Sequence, residues 1–251
     1  MKYLGGKNKI GKYIANVMKE RIRPGEVDGY LEPFCGSLGV TQHMTSDYNV
    51  IASDTHSDLI ALWKKVKADK FICPKNMPEA RYLKIKNQKS PSALKAFVGF
   101  GCSFGGKYFS GYAQKYTNGK NENYLRAVTN SMKKIQPKIT NVKFKCCDYK
   151  KWKPKNMLIY CDPPYKYSKF PVKYRTSTKR YDVFDSKVFW DTMRKWSKNN
   201  YVFISEQEAP EDFISVWNRS TYRSASQSKK TRFKSPDVTK YRTEHLFMYK
   251  G

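Results

Sequence analysis

Apolar positions recur at helical spacing over residues 9–21, where Ile10, Ile14, Val17 and Met18 share one face and Pro24-Gly25 closes the run. Residues 29–34 read as a first strand, and 37–44 should open the helix that follows it. A second strand spans 49–53 and ends at Asp54. Helical spacing returns over 59–66, with Ile60, Trp63 and Val66 on one face. This β-α-β-α alternation predicts a parallel sheet with helices on its faces.

Residues 68–136 break the alternation. They carry the glycines Gly99, Gly101, Gly105, Gly106 and Gly111, then a polar, Tyr-rich stretch to Tyr124. We read this part as an inserted, largely helical subdomain, with 1–67 and 137–251 forming the main α/β domain around it. The sheet resumes at 141–147 and again at 157–161, a short apolar run typical of a buried parallel strand. A helix over 187–196 presents Val188, Phe189, Trp190, Met193 and Trp196, and a strand follows at 201–205. Two last strands are expected near 221–225 and 244–249. The chain shows no internal repeats or low-complexity segments.

The strand at 157–161 runs into Asp162-Pro163-Pro164-Tyr165. Two prolines stiffen the backbone there and remove two N–H donors, while their carbonyls remain acceptors. An ionised Asp beside a Pro carbonyl makes a site with acceptors only, suited to an exocyclic NH2 group with its two N–H donors. The Tyr165 ring can stack on a flat base. The plainer alternative is a rigid turn opened by Asp.

These residues resemble the DPPY motif of the amino-methyltransferases that act on adenine N6 in DNA. Two further segments match the same family in order. Tyr3-Leu4-Gly5-Gly6-Lys7 looks like the aromatic-x-GGK motif of the Dam-like (D12 class) enzymes, and residues 31–40, LEPFCGSLGV, look like their EPF-x-GSG-x-V cofactor motif. The one departure is GSLG where GSG is commoner, which shifts a glycine to Gly39. The resemblance implies an α/β, Rossmann-like class I S-adenosylmethionine-dependent methyltransferase sheet, closed by a β-hairpin with one antiparallel strand. It also implies that the helical insert is a target-recognition subdomain.

Composition narrows the partners. The 251 residues carry a formal net charge of +28, with an isoelectric point near 9.8. That bias points to a polyanion, with double-stranded DNA ahead of a membrane surface because no basic amphipathic helix stands out. No apolar stretch approaches spanning length and no signal peptide precedes the first motif, so an intracellular protein is expected. The six cysteines, Cys35, Cys73, Cys102, Cys146, Cys147 and Cys161, form no C-x-x-C pair, and His43, His56 and His245 are scattered. A reducing compartment and no structural metal are therefore expected.

On the cofactor side, the turn at Phe34 and Gly36 lets a ligand approach the backbone between strand and helix. Asp54 ends the next strand, where an acid in nucleotide-binding folds accepts from ribose hydroxyls; a helix N-cap is the local alternative. Tyr3 and Lys7 match the family's first cofactor motif, which implies a ring packed on the cofactor and an ammonium facing its carboxylate or orienting nearby acids. On sequence alone the same segment reads equally as a flexible basic terminus. Asp148 and Tyr149 follow a strand and either border the cofactor adenine, as a similar pair does in the family, or form an ordinary turn.

On the reacting side, Asp162 and the Pro163 carbonyl would each accept one N6–H, with Pro164 stiffening the turn and Asp162 also bordering the cofactor. The nitrogen lone pair would then point at the methyl group, and positive charge developing on nitrogen would be stabilised. N6 lies inside a duplex, so the base must be flipped out. Lys166, Lys169, Lys173, Arg175, Lys179 and Arg180 follow the motif, and Lys229, Lys230, Arg232 and Lys234 form a second basic run. Both are candidates for phosphate contact, against the ordinary reading of a solvated charged face. In the insert, Lys107, Tyr108, Tyr112 and Arg126 are candidates for target recognition. The reading is thus a site-specific DNA adenine-N6 methyltransferase using S-adenosylmethionine. The alternatives are cytosine-N4 or RNA adenine-N6 methylation, and a non-catalytic DNA-binding protein on a decayed methyltransferase fold.

Overall fold

In the computed structural model the chain forms strands β1 (Gly29–Glu32), β2 (Val50–Asp54), the short pair β3 (Tyr116–Thr117) and β4 (Lys120–Asn121), then β5 (Lys143–Cys146), β6 (Met157–Cys161), β7 (Tyr201–Glu206), β8 (Phe213–Tyr222) and β9 (Tyr241–Tyr249). The helices are α1 (Gly11–Arg21), α2 (Ser57–Lys67), α3 (Glu79–Lys86), α4 (Ala93–Gly101), α5 (Tyr124–Ile135) and α6 (Ser186–Ser197). The structure describes residues 1–113, 116–117, 120–121, 124–164, 184–222 and 241–251.

One seven-stranded sheet runs in the order β5-β2-β1-β6-β7-β9-β8. The pairs from β5 through β7 are parallel, and β9 is antiparallel to both β7 and β8. It is a mixed α/β fold whose sheet is parallel except at β9, as the resemblance implied. Its central strands are buried on both faces, which is why they read as unbroken apolar runs. Side chains alternate between the faces. Tyr30, Leu158, Tyr160 and Phe203 enter the core shared with α1, α2, α4 and α5. Leu31, Ile159, Val202 and Ile204 enter the core under α6. There α6 buries Phe189, Trp190, Met193 and Trp196, while Val188, which shares the same apolar run, is exposed.

Among its described residues, the segment from 68 to 136 forms no separate core. Phe97, Val98, Phe100 and Val128 join the same apolar cluster as Ile14, Met18 and Leu62. Its glycines mark close packing. A Cβ on Gly99 would stand 2.5 Å from the Tyr108 ring, and one on Gly101 would stand 2.5 Å from the Val128 side chain.

Two expectations differ from the fold. Residues 37–44 are turns with one short 3-10 helix, Thr41–His43, instead of a full helix. Gly36 at φ 44° and Leu38 at φ 61° lie in the left-handed region, which a right-handed helix excludes. Leu38 is fully buried in that conformation, so packing overrides local preference. The penultimate strand begins at Phe213, eight residues before the expected start at 221. It is an edge strand, and its polar residues Asn218, Arg219 and Ser220 hide it from an apolar pattern.

Candidate active site

The carboxyl ends of β2, β1 and β6 lie side by side, because all three are parallel and β1 is in the middle. The chain leaves β1 toward β2 on one side and later adds β6 on the other. A crevice at this switch point is the usual ligand site of an open α/β sheet. Side chains reach that edge from the amino-terminal segment, the turn after β1, the end of β2 and the segment after β6.

In the turn after β1, the Gly36 N–H donates to Asp54 Oδ2 at 3.1 Å, and the Gly36 carbonyl accepts from the Trp63 indole at 2.9 Å. A Cβ on Gly36 would stand 3.1 Å from the Tyr3 ring, so the amino-terminal segment covers this turn closely. Tyr3 in turn packs on Phe100, with ring centres 4.8 Å apart. Phe34 points the other way, into an aromatic cluster with Tyr149 at 5.1 Å and Phe189 at 5.9 Å.

Asp54 is buried, and its second oxygen accepts from the His56 N–H at 2.9 Å. Burial pushes its carboxyl above the usual range, and the His56 and Gly36 N–H groups pull it back. The cap of α2 is His56, whose Nδ1 accepts from the Leu59 N–H at 3.4 Å, so Asp54 is not that cap. Its two oxygens offer four acceptor sites, and the Gly36, His56 and Thr55 N–H groups take up no more than three, which leaves capacity for a hydroxyl.

Lys7 is 7% exposed; it donates to Asp162 Oδ1 at 2.6 Å and to the Gly5 carbonyl at 3.4 Å, and forms an ion pair with Glu244 Oε1 at 3.3 Å. Asp162 stands directly after β6, followed by the buried Pro163 and the half-buried Pro164. Glu32 ends β1, buried, and accepts from the Tyr30 hydroxyl at 2.7 Å and the Thr41 hydroxyl at 2.6 Å. Burial lifts its carboxyl to about 8, with the nearby Asp162 charge adding to the rise and the two hydroxyls opposing it.

Asp148 caps the short turn after β5 by accepting from the Lys150 N–H at 2.8 Å. Tyr149 is buried in the α6 core, and burial lifts its hydroxyl to about 12. In the insert, Lys107 is half-buried and Arg126 exposed. The Tyr108 hydroxyl donates to Asp58 and the Tyr112 hydroxyl to the Met77 carbonyl, so both are engaged inside the protein. Tyr165, Lys166, Lys169, Lys173, Arg175, Lys179, Arg180 and the run from Lys229 to Lys234 lie outside the described residues.

The structure therefore gathers Tyr3, Lys7, Gly36, Asp54 and Asp162 at one sheet edge. Sequence reasoning missed Glu244, which stands 237 positions after Lys7 in a strand with no motif. It also assigned no role to Glu32, although the residue sits inside a quoted motif; its position at the end of a buried strand is the signal. Among the described residues, no group of three His, Cys, Asp or Glu side chains could hold a metal ion. No helix is long and apolar enough to cross a membrane there. All six cysteines are free thiols.

Two comparisons bear on what this edge does. The family model for D12 class N6 adenine-specific DNA methyltransferases matches residues 3–94 and 102–235. The Type II methyltransferase M.MjaIII of Methanocaldococcus jannaschii is 24% identical over 216 residues, covering 74% of this chain and 73% of that one.

Proposed function

The chain belongs to the D12 class N6 adenine-specific DNA methyltransferase family and methylates adenine N6 at specific sites in DNA; from that premise we propose that its methyl donor is S-adenosylmethionine, held at the carboxyl edge of β1 and β2. The residues suit that group. Gly36 keeps the turn open where a side chain would fill it, and buried Asp54 offers acceptor capacity to a ribose hydroxyl. Tyr3 covers the turn from above. Phe34, Tyr149 and the Asp148 turn border the adenine end, and Lys7 or Asp162 borders the amino-acid end. The donor supplies a methyl group already activated on sulfonium.

The protein's work is on the nucleophile. Asp162 accepts one N6–H and the Pro163 carbonyl accepts the other. Both acceptors face a nitrogen that becomes positive during attack, so they stabilise the transition state more than the ground state. The methylated nitrogen is then acidic enough to lose its proton to water or to Asp162. Tyr165 stacks on the flipped base. Residues 68–136 read the target, with Lys107 and Arg126 as contacts. Lys169, Lys173, Arg175, Lys179 and Arg180 hold phosphates of double-stranded DNA. The setting is the reducing, intracellular compartment where that DNA resides.

The observation that carries this reading is the 2.6 Å Lys7–Asp162 pair, which ties the segment covering the cofactor turn to the acid after β6. Titration calorimetry with S-adenosylmethionine, followed by mass analysis of nucleosides from treated duplex DNA, tests it. Micromolar binding and N6-methyladenine are expected. No heat with S-adenosylmethionine, or transfer that persists at the wild-type rate in Asp162→Ala, would overturn it.

A further inference from the structure

We propose that Glu244 is a positioning residue for methyl transfer: it fixes the Lys7 ammonium, which in turn fixes the Asp162 carboxylate. The inference rests on the reading of Asp162 as the acceptor of the N6–H. Glu244 lies on β9, the strand that runs antiparallel to its neighbours, and belongs to none of the sequence motifs.

An ammonium has three N–H donors and turns freely about its last bond. Around Lys7 stand Asp162 Oδ1, Glu244 Oε1 and the Gly5 carbonyl, at 2.6, 3.3 and 3.4 Å. Three acceptors within 3.4 Å of one ammonium hold it in place. Glu244 itself is held by its place in the sheet. Its neighbour His245 is in register with Glu206 of β7, and Glu244 is in register with Arg219 of β8. A strand interior is a firmer anchor than the amino-terminal segment that carries Lys7.

The consequence falls on Asp162. Its Oδ1 is held by Lys7, so the carboxylate plane cannot swing, and the direction of Oδ2 is set with it. An acceptor for the reacting amine must be aimed within tenths of an ångström, and misplacement by about 1 Å can cost about 100-fold in rate. All three charged groups are largely withdrawn from water, with side-chain exposures of 7% for Lys7, 9% for Glu244 and 19% for Asp162. Solvent cannot substitute for a missing carboxylate at no cost.

A double-mutant cycle on single-turnover methyl transfer tests the linkage from Glu244 to Asp162. The variants are Glu244→Ala, Asp162→Asn and the pair together, at saturating S-adenosylmethionine and duplex DNA. Glu244→Ala is expected to slow transfer about 10- to 100-fold while cofactor and DNA affinities stay near wild type. In the Asp162→Asn background the same change should cost almost nothing, because its effect passes through Asp162. Glu244→Gln keeps an acceptor for Lys7 and should recover most of the rate. Equal costs in both backgrounds would overturn the inference and leave the Asp162 role standing. A wild-type rate in Glu244→Ala would do the same. An Asp162→Asn variant that transfers at the wild-type rate would instead remove the reading on which the inference rests.

Discussion

Lys7 and Asp162 stand 155 positions apart in the chain and 2.6 Å apart in the fold. One is at the amino terminus, before any regular element, and the other directly follows β6. Their pairing makes the amino-terminal segment part of the same site as the sheet edge, because the partly buried Asp162 carboxylate draws the ammonium across the turn after β1. Buried opposite charges of this kind are costly to separate, since the partner left behind stays desolvated.

Asp162→Ala should cut methyl transfer by orders of magnitude while cofactor affinity stays within about tenfold, since on the proposed reading it removes an acceptor from the reacting amine. It also deprives the Lys7 ammonium of its nearest acceptor. Single-turnover rates and calorimetry on the same preparation separate the two effects. Turnover near wild type would end the assignment.

Asp54→Ala should weaken S-adenosylmethionine binding by roughly 1–3 kcal/mol, the scale of a hydrogen bond to a charged group. The structure adds a second effect: the Gly36 and His56 N–H groups lose their acceptor. Thermal stability without cofactor should therefore fall as well, whereas Asp54→Asn, which keeps one acceptor oxygen, should lose less of it. Unchanged calorimetric affinity in the alanine variant would take Asp54 out of the site.

Glu32 makes stability depend on pH. Its carboxyl ionises near 8 in the folded chain and near about 4.3 in an unfolded one. Between those values the folded state binds more protons than the unfolded state, so stability falls as pH rises from about 4.3 to about 8 and then levels off. Glu32→Gln removes that dependence. It should leave the unfolding midpoint near wild type at pH 4.5 and raise it at pH 8, by a shift worth on the order of a few kcal/mol. A scan of the two proteins across this window checks the sign; a Gln variant less stable at pH 8 would contradict it.

Gly39→Ala should disturb Lys7 from behind. Its Cβ would stand 2.8 Å from the Lys7 carbonyl carbon and 3.0 Å from the Asn8 nitrogen, both backbone atoms that can yield only if the segment moves. Overpacking of this kind typically costs about 1–3 kcal/mol, and transfer should fall with it because the Lys7–Asp162 pair shifts. Melting curves and rates that both match wild type would show that the segment adapts freely. The glycine displaced from the commoner motif spacing thus has a use: it is where the amino-terminal backbone crosses.

Replacing Lys179 and Arg180 with Ala should weaken binding to all duplexes about equally and flatten the plot of log K against log salt by roughly 0.9 for each phosphate no longer neutralised. Sequence preference should survive, because groups that hold phosphates position a duplex without reading it. Salt titrations on matched and mismatched duplexes decide it. An unchanged slope with collapsed preference would place base reading in this run and not in residues 68–136.

The chain's periodicity alone determined β1, β2, β6, β7, α1, α2 and α6 to within a few residues. Those elements are short-range objects: an apolar repeat over five to twelve positions is enough to commit them, and their buried sides leave little freedom. The acid after β6 was legible too, because a strand, an Asp and two prolines are contiguous. What tertiary structure decided depends on parts distant in sequence. Leu38 gave up a helical backbone to fill the core, and Gly39 made room for Lys7. The polar edge strand β8 took its start from pairing with β9, not from its own pattern. Glu244 carries no local mark at all. It meets Lys7 because β9 enters the sheet beside β7, running against it, which places its residues at the edge where β1, β2 and β6 end. Periodicity records which face of a segment is buried; it holds no record of which charge a folded neighbour will present to that face.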